Sequence, residues 1–323
     1  MTEFPRAVRA ALDQCLEGVS RRDLAARAAE ISQRYRAGGT SADTIRDAID
    51  ALAYAVTRMP ATYAATTSVL RKVATHAPQF APQSLLDLGA GPGTASLAAL
   101  DTWPDIARVR QLETNPHWRA LSAQLMSSTL AGDALEINSD DLKSSALAQP
   151  RADLVVAAYV LVELPDAAVG PLVLRALESC SGAMVLVEPG TPAGFARIRL
   201  ARTALVAAGA RIIGPCPGSM TCPMIGEDWC HFSVRLARSR DHRLVKGGAL
   251  PFEDEKYSWL AGTRDLTLRP ASARILREPE DGRGRVALNL CTPAGQRQHV
   301  VGRRDKAAYK VARKRGWGDE LDV

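Results

Sequence analysis

Hydrophobic positions change their period along this chain. Up to about residue 78 they repeat at helical spacing. Leu12, Cys15, Leu16 and Val19 fall at i, i+3, i+4 and i+7, and Ile45, Ile49, Leu52 and Val56 line a second face. Ser41, with Asp43 and Thr44 behind it, offers helix-start chemistry for that second set. Residues 1–78 are therefore predicted helical, as a packing segment or as part of a substrate grip. From about residue 79 short apolar runs alternate with helical stretches. Ser84–Leu88, Arg108–Leu112, a run within Ala152–Val162, and Ala183–Val187 read as strands, and Thr94–Leu100 reads as a helix between the first two. That alternation predicts an α/β unit over 79–210 with a Rossmann-like parallel sheet and crossover helices. After about residue 211 the texture changes again, and 211–323 is read as a separate cysteine-rich, β-containing part. Phe232, Val234 and Leu236 alternate, as do Val286, Leu288 and Leu290, and Gly282-Arg-Gly284 marks a turn before the second set. Asp305–Gly316 is a basic stretch of helical composition.

The first strand runs into Asp87-Leu-Gly89-Ala-Gly91-Pro-Gly93, and a helix follows. Glycine allows a sharp turn and a close backbone approach to a ligand. Glu113 closes the second strand about twenty residues on, where an acid can bind a ribose hydroxyl pair. The G-x-G-x-G spacing lacks the x-x-G ending of a dinucleotide turn, and Asp87 before it suits a cationic ligand. These points favour S-adenosylmethionine over a dinucleotide, and the run resembles motif I of class I methyltransferases. Asp140, in Asn138-Ser-Asp140-Asp141, is a candidate for the adenine amino group, with a solvated loop as the alternative. Tyr159 is a candidate for the methyl-transfer mouth, or a buried tyrosine with an internal hydrogen bond. Glu163 and Glu188 fall on the same rim, where acids also cap helices.

Four cysteines, Cys216, Cys222, Cys230 and Cys291, follow the glycine turn. A zinc ribbon needs C-x2-C knuckles, and none occurs here. Irregular spacing wraps loops around something larger than one ion, and proline follows both Cys216 and Cys222. A [4Fe-4S] cluster fits this pattern better than zinc, for which His231 would be a substitute ligand. Packing as small hydrophobes is the plain alternative, and it suits Cys15 and Cys180. Pro215-Cys216 and Thr221-Cys222-Pro223 also imitate the signatures of RNA 5-methylcytosine enzymes. A nucleophile should instead lie near Tyr159.

Composition adds less. The chain has 323 residues, 46% hydrophobic and 24% charged, so a core can form without disulfides. A net charge of +6 points to a polyanionic partner. The start, Met1-Thr-Glu-Phe-Pro-Arg6, has no basic then apolar order, Glu3, Asp13 and Glu17 argue against a transit peptide, and Leu154–Leu164 is too short to span a bilayer. The expectation is a cytoplasmic protein, favoured as a monomer.

The glycine turn, Tyr159–Pro165, Val187-Glu-Pro-Gly-Thr-Pro192, the four cysteines and the closing Lys310–Asp319 occur in order. From about residue 40 onward this series resembles the methyltransferase-like family of mitochondrial small-ribosomal-subunit assembly proteins and its bacterial relatives. The resemblance implies a class I methyltransferase fold, a [4Fe-4S] cluster on the four cysteines, and association with small-subunit ribosomal RNA or a ribosome precursor. It leaves turnover open, because such folds can lose chemistry. The chain lacks an Asn/Asp-Pro-Pro-Tyr tetrad, so the acceptor atom and the catalytic residues are unassigned. A radical methylase is disfavoured, because no C-x3-C-x2-C loop exists. RNA contact falls to Arg303, Arg304, Lys306, Lys310, Arg313, Lys314 and Arg315, with Tyr309 and Trp317 as stacking candidates.

Overall fold

The computed structural model describes residues 3–142, 144, 150–269 and 271–322. Met1 and Thr2, part of the start discussed above, lie outside them.

Five helices open the chain: α1 (Arg6–Cys15), α2 (Arg21–Arg36), the short α3 (Ser41–Thr44), α4 (Ala48–Thr57) and α5 (Met59–His76). The start of α4 is set by Asp47 rather than Ser41. Its carboxylate accepts from the Asp50 N–H at 2.8 Å and pairs with Arg27 at 3.1 Å. Then follow β1 (Ser84–Leu88), α6 (Thr94–Thr102), β2 (Arg108–Leu112), α7 (Pro116–Met126), β3 (Leu135–Asn138), β4 (Ala152–Ala158), α8 (Asp166–Glu178), β5 (Cys180–Pro189), α9 (Pro192–Ala207) and β6 (Arg211–Gly214). Next come β7 (Phe232–Ala237), α10 (Arg240–Lys246) and β8 (Phe252–Thr263).

These strands make one sheet in the order β3-β2-β1-β4-β5-β8-β6, with β7 hydrogen-bonded to β8. β3 to β5 run parallel, while β8 is antiparallel to both β5 and β6. A reversed strand inserted before the last parallel one is the class I methyltransferase arrangement. Both faces are covered, which is why β1, β4 and β5 read as apolar runs rather than alternating ones. Leu85, Val156, Val185 and Trp259 face one side, with Val69, Leu97 and Leu121 from α5, α6 and α7. Leu86, Val155, Met184 and Leu260 face the other, with Leu172 and Ile198 from α8 and α9.

Two expected boundaries are corrected here. The helical segment is not separate, because α5 lies on the sheet and shares its core. The unit expected to end at residue 210 continues, since β6, β7 and β8 complete the same sheet. The second sheet begins only at β9 (Ala273–Ile275). With β10 (Glu280–Gly282), β11 (Arg285–Thr292), β12 (Gly295–Gly302) and β13 (Glu320–Leu321) it forms a five-stranded antiparallel unit. Val286, Leu288 and Leu290 are fully buried there, as their alternation predicts. The helix α11 (Lys306–Ala312) packs on this sheet through Ala308, Tyr309 and Ala312.

Removing the α4 cap tests this account of the N-terminal segment. Asp47→Ala is expected to lower unfolding free energy by about 1 kcal/mol in urea, with an unchanged m-value. No loss would mean that α4 is held by tertiary packing alone.

Candidate functional site

The glycine turn leaves β1 and enters α6. Gly91 and Gly93 both hold left-handed backbone, with φ of +55° and +80°. Their surroundings differ. A Cβ at Gly93 would sit 2.5 Å from Ser122 Oγ, so that glycine is required by the protein's own packing. A Cβ at Gly91 would meet nothing within 4 Å. Gly91 is therefore the open point of the turn. Gly89 is closed, because a Cβ there would strike Val160 Cγ2 at 2.5 Å.

A buried hydrogen-bond chain supports the turn from below. Ser122 Oγ donates to Gln111 Oε1 at 2.7 Å, and Gln111 Nε2 donates to Ser96 Oγ at 2.9 Å. Ser96 donates from both Oγ and N to Asp87 Oδ2, at 2.7 and 3.0 Å. One oxygen of Asp87 thus anchors α6 to β1, while Oδ1 is buried without a protein partner. Burial pushes this carboxyl up to about 6 against the lowering effect of the Ser96 bonds. Ser96, Gln111 and Ser122 were not expected from the sequence; only their spacing beside the turn could have flagged them.

Glu113 reaches the turn directly. Its Oε2 accepts from Gly91 N at 2.9 Å and its Oε1 from Asn115 N at 2.8 Å. Burial raises this carboxyl, and the two N–H donors oppose the shift. Asp140 is exposed two residues beyond β3, on the same rim, where Glu113 N donates to Asn138 O at 2.9 Å. Tyr159 follows β4 with φ of +60°, the only non-glycine in that region among the described residues. Such backbone costs about 1–3 kcal/mol and tends to mark functional rims. The Tyr159 hydroxyl donates to Glu255 Oε1 at 3.1 Å, and Arg58 Nη2 donates to the same oxygen at 3.4 Å.

Glu188 is buried, with Oε1 and Oε2 accepting from Leu161 N at 2.7 Å and Val162 N at 3.1 Å. It caps the short turn behind Tyr159, the capping role its position allowed. Glu163 accepts from Ser41 Oγ at 2.5 Å, and Asn115 Nδ2 donates to Ile45 O at 2.8 Å. The helical N-terminus thus roofs this rim.

The four cysteines converge. Cys216 follows β6, Cys222 and Cys230 lie in the irregular segment before β7, and Cys291 is near the end of β11. All four line one cavity of about 30 Å³, together with Phe195, Met224, Trp259, Arg202 and Arg274. Burial raises the Cys216, Cys230 and Cys291 thiols, the last to about 12. Among the described residues no group of three or more His, Cys, Asp or Glu side chains is placed to hold a metal. His231, the substitute ligand considered for zinc, does not line this cavity. Its ring stacks on Trp229 at 5.0 Å and meets the edge of Trp317 at 4.6 Å, outside the cavity lining. β5 and β8 lie between β4 and β6, so Cys216 does not reach the Tyr159 rim as a 5-methylcytosine nucleophile would.

The seven basic candidates, Arg303, Arg304, Lys306, Lys310, Arg313, Lys314 and Arg315, are all exposed. Residues 271–323 hold twelve lysines and arginines against seven acids, most of the chain's net charge. Arg303 and Arg313 lie 5.9 and 6.0 Å from the Tyr309 ring. Trp317 is a correction. It turns inward onto His231, and a Cβ on the next residue, Gly318, would sit 2.8 Å from Phe232. It serves packing rather than base stacking.

Comparison with known proteins finds both sequence relatives and structural neighbours. The ribosome assembly protein METTL17, mitochondrial, of Homo sapiens is 27% identical over 289 residues, covering 84% of this chain and 62% of that protein. The Rsm22-cox11 tandem protein 2, mitochondrial, of Schizosaccharomyces pombe is 28% identical over 321 residues, covering 83% and 42%. This chain therefore spans less than two thirds of either relative. Magnesium protoporphyrin IX methyltransferase from Synechocystis PCC 6803 is similar in structure, with a TM-score of 0.43, 12% identity, and 64% and 84% of the two chains covered. Residues 48–322 match the family described as mitochondrial small ribosomal subunit Rsm22, and the chain belongs to that family.

Proposed function

We propose that this protein binds S-adenosylmethionine at the glycine turn and acts on, or escorts, small-subunit ribosomal RNA during assembly. The open face of Gly91, with Glu113 fastened beside it, carries the donor reading. Asp87, Gly89, Gly91, Gly93, Glu113, Asp140 and Tyr159 would hold the donor, and its sulfonium supplies an electrophilic methyl group. The protein's task is then to position an acceptor at the rim near Tyr159 and keep water out. A second reading, a non-catalytic assembly factor, has its own support. Both Glu113 oxygens are already engaged by backbone N–H groups, and Tyr159 is engaged by Glu255. The human relative is named a ribosome assembly protein.

The four thiols are proposed to hold a [4Fe-4S] cluster. Soft sulfur donors from separate parts of the chain line one cavity, and two guanidinium groups stand against the thiolate charge. That donor set fits an iron–sulfur centre, which would supply structure or redox sensing rather than the methyl group. The exposed basic stretch around α11 is proposed to neutralise RNA phosphates. We place the protein as a monomer in the cytoplasm. The two curated relatives described above are named as mitochondrial. Among the described residues no helix is long and apolar enough to cross a membrane.

Methyl transfer is checked with labelled S-adenosylmethionine and ribosomal RNA from a deletion strain. Label in the RNA supports the enzyme, and bound RNA without label supports the escort. Gly91→Arg is expected to abolish donor binding by calorimetry, and unchanged affinity would remove the pocket assignment. Anaerobically purified protein should be brown with about four irons per chain, and Cys291→Ser should lose most of them. A colourless protein with one zinc would end the cluster reading. Arg313→Ala should weaken RNA binding about equally across sequences and reduce the salt slope by about 1. An unchanged slope would move the RNA surface elsewhere.

A further inference from the structure

Two arginines line the thiol cavity from beneath the surface, and neither was singled out by the sequence. Arg202, on α9, is 7% exposed, and Arg274, on β9, is 2% exposed. Buried guanidinium groups are rare unless a negative partner meets them. Arg274 has one, since its Nη2 lies 2.8 Å from Glu320 Oε1. Its other donors take backbone carbonyls, with Nε bonded to Pro215 O at 3.0 Å and Nη1 to Gly318 O at 2.9 Å. It is also the cross-strand neighbour of Cys291.

Arg202 is different. No carboxylate pairs with it among the described residues. Its Nη2 donates to the carbonyls of Gly218 and Met220, which hold the loop between Cys216 and Cys222. Its Nε has no partner. The anions it can face are thiolates, because it lines the same cavity as Cys216, Cys222, Cys230 and Cys291. A fixed cation in a low-dielectric wall, short of a counter-charge and facing four thiols, is arranged for a negatively charged centre.

We infer that Arg202 is the positioning residue of the thiol site: it holds the loop between Cys216 and Cys222 through the Gly218 and Met220 carbonyls and, by its charge on the cavity wall, sets the reduction potential of the centre the four thiolates hold. The inference rests on the iron–sulfur reading above. The physical step is one electron entering the centre from a one-electron donor, with no bond made or broken. Each added electron makes the centre more negative, so a nearby cation favours the reduced state. Arg202 therefore raises the potential. Arg274, already neutralised by Glu320, contributes less.

The test uses the full chain, purified without oxygen, as wild type, Arg202→Met and Arg202→Lys. Iron and sulfide are counted, and each protein is titrated with dithionite while the reduced signal is followed by electron paramagnetic resonance. Arg202→Met is expected to lower the midpoint by at least about 59 mV, which is tenfold less reduced centre at a fixed potential. Arg202→Lys keeps the charge but loses the fork, and is expected to fall between. An iron-loaded Arg202→Met with the wild-type midpoint overturns the inference and leaves the cluster standing. If Arg202→Met loads no iron, Arg202→Lys decides: a lowered midpoint supports the inference and an unchanged one overturns it. Wild-type protein without iron overturns both this inference and the reading beneath it, and iron content tells the two failures apart.

Discussion

The guanidinium of Arg274 ties together distant parts of the chain. One side chain meets Pro215, beside the first cysteine, Gly318 in the closing turn, and Glu320 on β13. Glu320 also meets His76 Nε2 at 2.5 Å, at the end of α5. Burial acts to raise the Glu320 carboxyl, but His76 and Arg274 hold it down at about 2. Magnitudes separate this set from the other ion pairs. Exposed pairs such as Arg235–Asp254 are worth about 0–1 kcal/mol. Removing one partner of a buried charge instead costs about 3–5 kcal/mol, because the other is stranded. The second sheet, the cysteine loop and the main sheet are joined through that charge.

The glycine turn obeys a different constraint. Its closed positions are fixed by neighbours, Val160 at Gly89 and Ser122 at Gly93, so only the middle glycine faces open space. Glu113 couples that opening to β2, because the same carboxylate fastens Gly91 and the start of α7. Each carboxylate oxygen can accept more than one hydrogen bond, so ribose contact does not require breaking this clasp. The geometry therefore suits a preformed pocket and is equally good at holding the turn without a ligand. Fold alone does not choose between the two.

What was legible in the sequence had a strong local cause. β1, β4 and β5 are short apolar runs because both faces of a parallel sheet are covered, and β11 alternates because only one of its faces meets α11. The glycine spacing was readable because strand, turn and helix follow at once. β8 was missed for a physical reason. It starts with Phe252-Glu-Asp-Glu-Lys256 paired to β7, is buried against β5 from Tyr257, and meets β6 only from Ala261. A strand that changes environment midway shows neither period. Trp317 was misjudged because a tryptophan beside a basic run suggests stacking, whereas Gly318, at φ of +85°, folds that turn inward against Phe232. The convergence of Cys291 on the other cysteines was legible, but the arginines facing them were not, since nothing in local spacing separates a buried arginine from an exposed one.

β8 also brings the two candidate sites onto one scaffold. Its Glu255 holds Tyr159 at the rim, its Ser258 Oγ donates to the Cys230 carbonyl at 2.8 Å, and its Trp259 lines the thiol cavity. Four residues of strand separate Glu255 from Trp259, roughly 13 Å. Such closeness invites an allosteric account, but coupling requires an element with two arrangements whose balance both sites bias. β8 is hydrogen-bonded along its length to β5, β6 and β7, and a Cβ at Gly214 would lie 2.5 Å from the Trp259 ring. A strand packed that closely transmits loss of structure more readily than a graded signal. Emptying the thiol site should then act on the donor rim through stability, by loosening the strand that both share.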